Sequence, residues 1–219
     1  MRCRSQKALE NQTKIYTADT TSLNRSTRRV VEYTYKADKA LNIIAEEVVL
    51  RKGGEAKPNS RRAEMLAERI EQGANSLAAF VEELTEAEWR KPVTETDRRT
   101  VGVIVYHVAA VYPIEVDLAK AIAAGNAVMD VTWDVVAQLN AKHAEEQDDI
   151  TKDEALGLLW QNSREAADAV RKFTEEELDN AAPFGLTYGA PVTAQFVIED
   201  HALRHSWHHL ARIRKAVGR

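Results

Sequence analysis

Cysteine is almost missing from this chain: Cys3 is the only one among 219 residues. A single thiol cannot build an intrachain disulfide framework, a CxxC redox pair or a thiolate metal site. Such usage fits a reducing cytoplasm. Long apolar runs are missing as well. None approaches the ~18–20 uncharged residues that cross a bilayer, so no transmembrane helix and no membrane partner are expected. The N-terminus has no apolar stretch of the kind a secretory signal needs. A nucleophile elbow, a GxGxxG turn, a phosphate-binding loop and paired-cysteine zinc motifs are also absent, which removes the commonest alternatives.

What remains is ordinary globular material, 44% hydrophobic and 29% charged. Its length suits one domain of about 150 residues with an appendage, or one large domain. The net charge of −4 is unevenly spread. Residues 1–60 carry 12 Lys and Arg against 7 Asp and Glu, while 61–219 carry 18 against 27. An acidic body does not attract nucleic acid by simple electrostatics, and no DNA-binding motif is present, so no nucleic-acid partner is expected.

Residues 1–59 read as an N-terminal extension. Positions 1–25 are rich in Thr, Ser, Asn, Gln and basic residues without apolar periodicity, which predicts a disordered tail. An organellar transit peptide and a start codon set too far upstream of Ser60 are the alternatives. Positions 27–51 can form one helix through Leu41, Ile43, Ile44, Val48 and Val49, although Val30 to Tyr35 suits an extended segment equally. Residues 52–60, with two glycines and Pro58, read as a linker.

From Ser60 onward the chain reads as helix after helix. Met65, Leu66, Ile70, Leu77, Phe80, Val81 and Leu84 recur at helical spacing over 61–84. Thr100 can cap a helix over 101–124 closed by Gly125, although 101–112 also has strand propensity and Pro113 would kink a helix. Capping boxes at Thr85-Glu86-Ala87-Glu88, Thr151-Lys152-Asp153-Glu154 and Thr174-Glu175-Glu176-Glu177 open two short helices and one running over 152–173. A weaker helix is expected over 133–146, a loop over 183–191, and a last helix over 192–217. Four long amphipathic helices predict an all-α four-helix bundle over 60–219, with a long connection between the second and third.

Four of the six histidines fall within nine residues: His201, His205, His208 and His209. On a helical wheel His209 lies inside the apolar arc with Leu210 and Ile213, and His205 lies on its edge. Trp207 and Phe196 also fall in that arc. His201 and His208 lie among charged residues. His201 and His209 are also about 12 Å apart along a straight helix, too far for one ion. His205 and His209 are therefore the inward pair at i,i+4 spacing. His107 is the best third ligand, because it lies in the most apolar helix, where an unpaired imidazole is costly. His143 sits in a polar stretch and is expected to be exposed. The alternative is that the buried histidines are hydrogen-bonded core residues. No Glu has the ExxH spacing of di-iron bundles, so a metal site here would hold a single ion. Glu199, a carboxylate on the apolar face, reads either as a partner to a ligand imidazole or as a bundle-end carboxylate.

Three stretches, Thr100 to Ala110, Thr151 to Leu159 and His205 to Arg214, make residues 60–217 resemble the DinB-like metalloprotein superfamily, which includes transferases dependent on bacillithiol or mycothiol. The family pattern is a histidine late in an apolar second helix, then HxxxH in the last helix followed by Leu and Ile. In this chain these positions are His107, His205, His209, Leu210 and Ile213. The resemblance implies a four-helix bundle that binds one divalent ion, zinc or nickel, through His107, His205 and His209. Residues 1–59 are not part of it.

The expectation is a metal-dependent transferase of a low-molecular-weight thiol, or a hydrolase, in which the ion activates thiol or water. A small-molecule thiol and an electrophile would then be its partners, and a homodimer is left open. A non-catalytic metal-binding or stress-response protein with a structural ion is the alternative. Tyr106, Tyr112, Trp133, Trp160, Tyr188 and Trp207 could line a pocket, but most read as core.

Overall fold

The structure, a computed structural model, describes residues 60–219. The tail, the helix over 27–51 and the linker up to residue 59 lie outside the described residues.

Ser60 opens the first long helix, α1 (Arg61–Glu82), by accepting the Ala63 N–H at 3.0 Å. This side-chain oxygen satisfies one of the first-turn donors that a helix leaves unpaired. The face bearing Leu66, Ile70, Ala74, Leu77 and Val81 is buried. The three capping boxes all form. Thr85 opens the short α2 (Glu86–Trp89), Thr151 opens α5 (Lys152–Val170) and Thr174 opens α6 (Glu175–Asp179).

The ambiguous segment is helical: α3 runs over Val101–Ala123 with Thr100 as its cap, and Gly125 follows at φ 79°. Eighteen of its residues are buried, which explains why its pattern is apolar on nearly every side. Its length and its mean hydropathy of 1.5 would suit a membrane span, but 83% of that window is buried inside the bundle. Pro113 lies within it. A proline cannot donate to the carbonyl four residues earlier. Here that carbonyl, Ala109 O, accepts instead from Asn162 Nδ2 of α5 at 2.8 Å. The neighbouring helix thus replaces the bond that Pro113 removes.

Between α3 and α5 stands α4 (Trp133–Glu146), capped by Thr132. α5 packs against both α1 and α3, and the last helix, α8 (Arg204–Val217), packs against the same two. The ring therefore runs α1, α5, α3, α8, and the consecutive long helices α1 and α3 stand at opposite corners. A plain up-down hairpin series would have made them neighbours.

The expected single helix over 192–217 needs correction. Residues Ala181–Pro183 (β1) and Pro191–Thr193 (β2) form a small antiparallel pair, with Ala182 opposite Val192. The loop between them holds a 3₁₀ turn at Gly185–Thr187. Helix starts at α7 (Ala194–Val197), passes through a π-helical stretch at Ile198–Leu203, and becomes regular only in α8. A π turn advances roughly 80° per residue instead of 100°, so six residues shift the facing by close to a third of a turn. A constant wheel therefore misplaces what precedes Arg204. Phe196, expected inward, is exposed. Trp207, at the edge of the apolar arc, is half out as well.

One close approach near the start of α3 makes a direct prediction. An added Cβ on Gly102 would lie 2.8 Å from Trp89 Cε2. Trp89 is fully buried, and its indole donates to Ile150 O at 3.0 Å, so the ring has no room to retreat. Gly102→Ala is expected to cost about 1–3 kcal/mol through overpacking. That lowers the thermal midpoint by about 2–10 °C in a domain of this size. An unchanged midpoint would show that Trp89 can move.

Candidate metal centre

α8 holds His205 and His209 one turn apart, and α3 brings His107 across the bundle to meet them. One ligand atom from each of the three lies within 4.8 Å of the others, and this is the one such set among the described residues. The ring centroids of His107 lie 5.0 Å from His205 and 5.6 Å from His209, and the latter two are 4.7 Å apart. Nitrogens sharing one tetrahedral ion at about 2.0–2.1 Å stand about 3.3 Å apart. Small rotations of the rings close that gap.

The surroundings keep His107 and His209 in the neutral form that a cation needs. Burial in the bundle pushes His107 down to about 2, with the His205 and His143 charges acting in the same direction. Burial also drives His209 far below the ordinary imidazole range. His209 Nδ1 is buried and has no hydrogen-bond partner. An orphaned ring nitrogen costs about 1–3 kcal/mol, and coordination through that atom would remove the cost. The orphaned nitrogen, the neutral His107 and His209 rings and the convergent geometry together fit a divalent ion.

Two residues outside the sequence-based set complete the arrangement. Glu115, two turns beyond His107 on α3, is buried, and its Oε1 lies 2.5 Å from His205 Nδ1. A carboxylate accepts, so His205 donates there and its Nε2 lone pair faces the centre. The sequence offered a signal for it, since Glu115 is the first charged residue after Arg99 in an otherwise apolar run. Glu199, considered for such a role, accepts from Gln195 Nε2 at 3.1 Å and touches no imidazole.

The other is His143. Its expected exposure is wrong: α4 folds its polar sequence over the centre, and His143 is buried. His143 Nδ1 lies 3.2 Å from His107 Nδ1. One of the two must donate, and a donor at His107 Nδ1 leaves His107 Nε2 free as a ligand. Burial lowers His143 to about 4. Tyr106 meets its ring edge-on at 5.2 Å.

The remaining histidines fall outside the set. His208 is exposed. His201, expected among solvated charges, is instead half-buried with its ring edge-on to Phe184 at 5.6 Å, because the π-helical stretch turns it inward. Of the six aromatics weighed above, Tyr106 and Tyr112 are core, and Tyr112 Oη bonds Ser206 Oγ between α3 and α8 at 2.5 Å. Trp133, Tyr188 and Trp207 are exposed.

Comparison with known proteins bears on this arrangement. The sequence model of the DinB superfamily matches residues 69–213, well over half of the chain. Among solved structures, YfiT from Bacillus subtilis superposes with a TM-score of 0.58 at 16% identity, covering 77% of this chain and 94% of that one. YfiT is described as a probable metal-dependent hydrolase with an unusual four-helix bundle topology. At this identity the likeness is one of fold. No curated protein matches the chain.

Proposed function

We propose, for a chain that belongs to the DinB superfamily, a metal-dependent enzyme in which His107, His205 and His209 hold one divalent ion, zinc or nickel. The observation that carries this reading is a three-histidine set that no fourth His, Cys, Asp or Glu joins among the described residues. Three protein ligands leave a coordination position for a reactant, whereas a structural ion is closed by four. When bound, the ion would supply a Lewis acid that brings the pKa of a bound water toward about 7 and holds a bound thiol as its thiolate.

The protein's own contribution is to hold that position open and dry. Glu115 fixes the His205 ring through Nδ1, and His143 fixes His107 in the same way. The low-dielectric walls formed by α3 and α8 strengthen every charge interaction at the centre. The partners we infer are a small-molecule thiol and an electrophile, or water and a hydrolysable substrate. The thiol-dependent members of the superfamily and the probable metal-dependent hydrolase YfiT support these two reactions respectively.

Elemental analysis of the purified full chain is expected to find about one zinc or nickel per polypeptide. A screen of thiol-plus-electrophile pairs and of hydrolysable esters and amides should then show turnover that chelation removes and the metal restores. Turnover that survives complete metal removal would overturn the proposal. A chelated protein that loses stability, and whose ion accepts no exogenous ligand, would mean a structural ion instead.

Glu115→Gln keeps the shape of the side chain but replaces a charged acceptor for His205 with a neutral one. Outer partners of ligand imidazoles are worth 10–100-fold in metal affinity. We expect a loss of that size in a competition titration against a chromogenic chelator, with the helical circular dichroism unchanged. Undiminished affinity would detach Glu115 from the centre.

A further inference from the structure

The connection between α3 and α5 is anchored near both of its ends. At Val128 the backbone donates to Pro183 O at 2.9 Å and accepts from the Gly185 N–H at 2.7 Å. Val131 O lies so close to Gly185 that a Cβ on that glycine would sit 2.3 Å from it. At the other end Ile150 O accepts the Trp89 indole N–H at 3.0 Å, and Asp148 O accepts from Arg90 Nη1 at 2.8 Å. Val128 and Ile150 are both buried. Between them, across residues 129–149, one residue is buried, and it is His143.

α4 is thus fastened beyond its two ends and lightly held along its length. The half-exposed Trp133 donates its indole N–H to Leu186 O at 3.1 Å, and His143 Nδ1 meets His107 Nδ1 at 3.2 Å. One turn before His143, Asn140 Oδ1 is buried without a hydrogen-bond partner among the described residues. An unpaired buried acceptor costs free energy while the helix is seated, and the cost disappears once water reaches it. Segments with few buried contacts open while the core stays folded. Beneath α4 the centre is covered: His107 and His209 are 6% and 5% exposed, and of the three ligand rings only His205 is partly open.

We propose that α4 is a strap over the three-histidine centre: it swings away on its anchors at Val128 and Ile150 to admit the reactant, and its return seats His143 on His107 and shuts water out. This rests on the metal reading above and adds how a reactant reaches the ion. The other walls are poorly suited to move. α3 buries 18 of its residues, and α8 packs on both α1 and α3. Closure of this kind sequesters a reaction from water and completes the groups around it. The unpaired Asn140 oxygen keeps the closed state from being too stable to open.

Two measurements on the full chain test this. Amide hydrogen exchange of the metal-free protein follows the strap, and stopped-flow mixing of the cobalt(II)-loaded protein with 2-mercaptoethanol follows entry through the thiolate-to-cobalt absorption band. In the wild type, amides of residues 137–146 are expected to exchange at least about a hundredfold faster than those of 105–115. Trp133→Phe keeps an aromatic ring and removes the N–H that ties α4 to Leu186. It is expected to raise both the exchange of 137–146 and the second-order rate of thiol capture by about two- to tenfold, the worth of one hydrogen bond. The cobalt spectrum before mixing should not change. Asn140→Leu removes the unpaired acceptor and is expected to lower both rates. Strap amides as slow as those of α3, or one capture rate shared by all three proteins, would overturn the strap and leave entry past His205. Failure of the wild type to take up cobalt, or a cobalt spectrum that the thiol leaves unchanged, would overturn the metal reading instead.

Discussion

Replacing His209 with alanine is expected to strip the protein of its metal, and this is the largest single effect the structure implies. Sites of this kind gain about 10–16 kcal/mol from three or four protein ligands. One ligand is then worth roughly 3–5 kcal/mol, or about a hundred- to several-thousand-fold loss of affinity. His107→Ala and His205→Ala should behave alike, because each supplies one of the three atoms that lie within 4.8 Å of one another. His208→Ala should keep its metal, since that ring is exposed. His201→Ala should keep it too, since that ring packs on Phe184. Elemental analysis of the five purified variants decides the matter, with circular dichroism as the control for folding. Full metal retention in His209→Ala would sink the ligand assignment.

The metal-free protein should lose stability steeply as the pH falls below neutrality. His107 and His143 titrate at about 2 and about 4 in the folded state, and His209 is lowered in the same direction. In the unfolded chain each returns to about 6.5. Below that pH the unfolded state binds more protons, so acid favours unfolding. The penalty is absent above pH 6.5 and grows by about 1.4 kcal/mol per pH unit for each ring, until the pH reaches that ring's folded value. At pH 5 this is about 2 kcal/mol per histidine. With several such rings, the thermal midpoint should fall by about 10 °C or more between pH 7.5 and 5.0. His143→Gln removes one titrating ring and should flatten the dependence by its share. A midpoint that does not move over that range would show that these rings are not held neutral.

Several features were legible in the sequence for local reasons. A capping box is completed within four residues, so Thr85, Thr151 and Thr174 could be recognised without knowing what their helices pack against. The i,i+4 spacing of His205 and His209 is equally local, because α8 is regular where they stand. The exposed Phe196 marks where such reasoning ended. The π-helical stretch at Ile198–Leu203 carries no compositional sign, and a wheel drawn across it accumulates an angular error. The β1–β2 pair has three residues a side, too few for a period-2 pattern to show.

His143 shows the same division at the centre itself. Its neighbours Lys142, Glu145 and Glu146 give it a solvent-exposed sequence, and α4 as a whole is polar enough to be read as a surface helix. Yet one face of α4 lies over α3, and the single ring on that face is buried against His107.

The sequence by itself determined where most of the long helices lie and begin, and that an HxxxH pair and one upstream histidine in an apolar helix were available to a metal. Those properties depend on contacts within a turn or two of the chain. Only the tertiary structure decided that α1 and α3 stand at opposite corners, that Asn162 mends the gap Pro113 leaves, and that His143 and Glu115 meet the imidazoles of His107 and His205. Each of these joins residues dozens of positions apart. Which of them meet depends on how four apolar faces close into one bundle, and no short stretch of sequence encodes that.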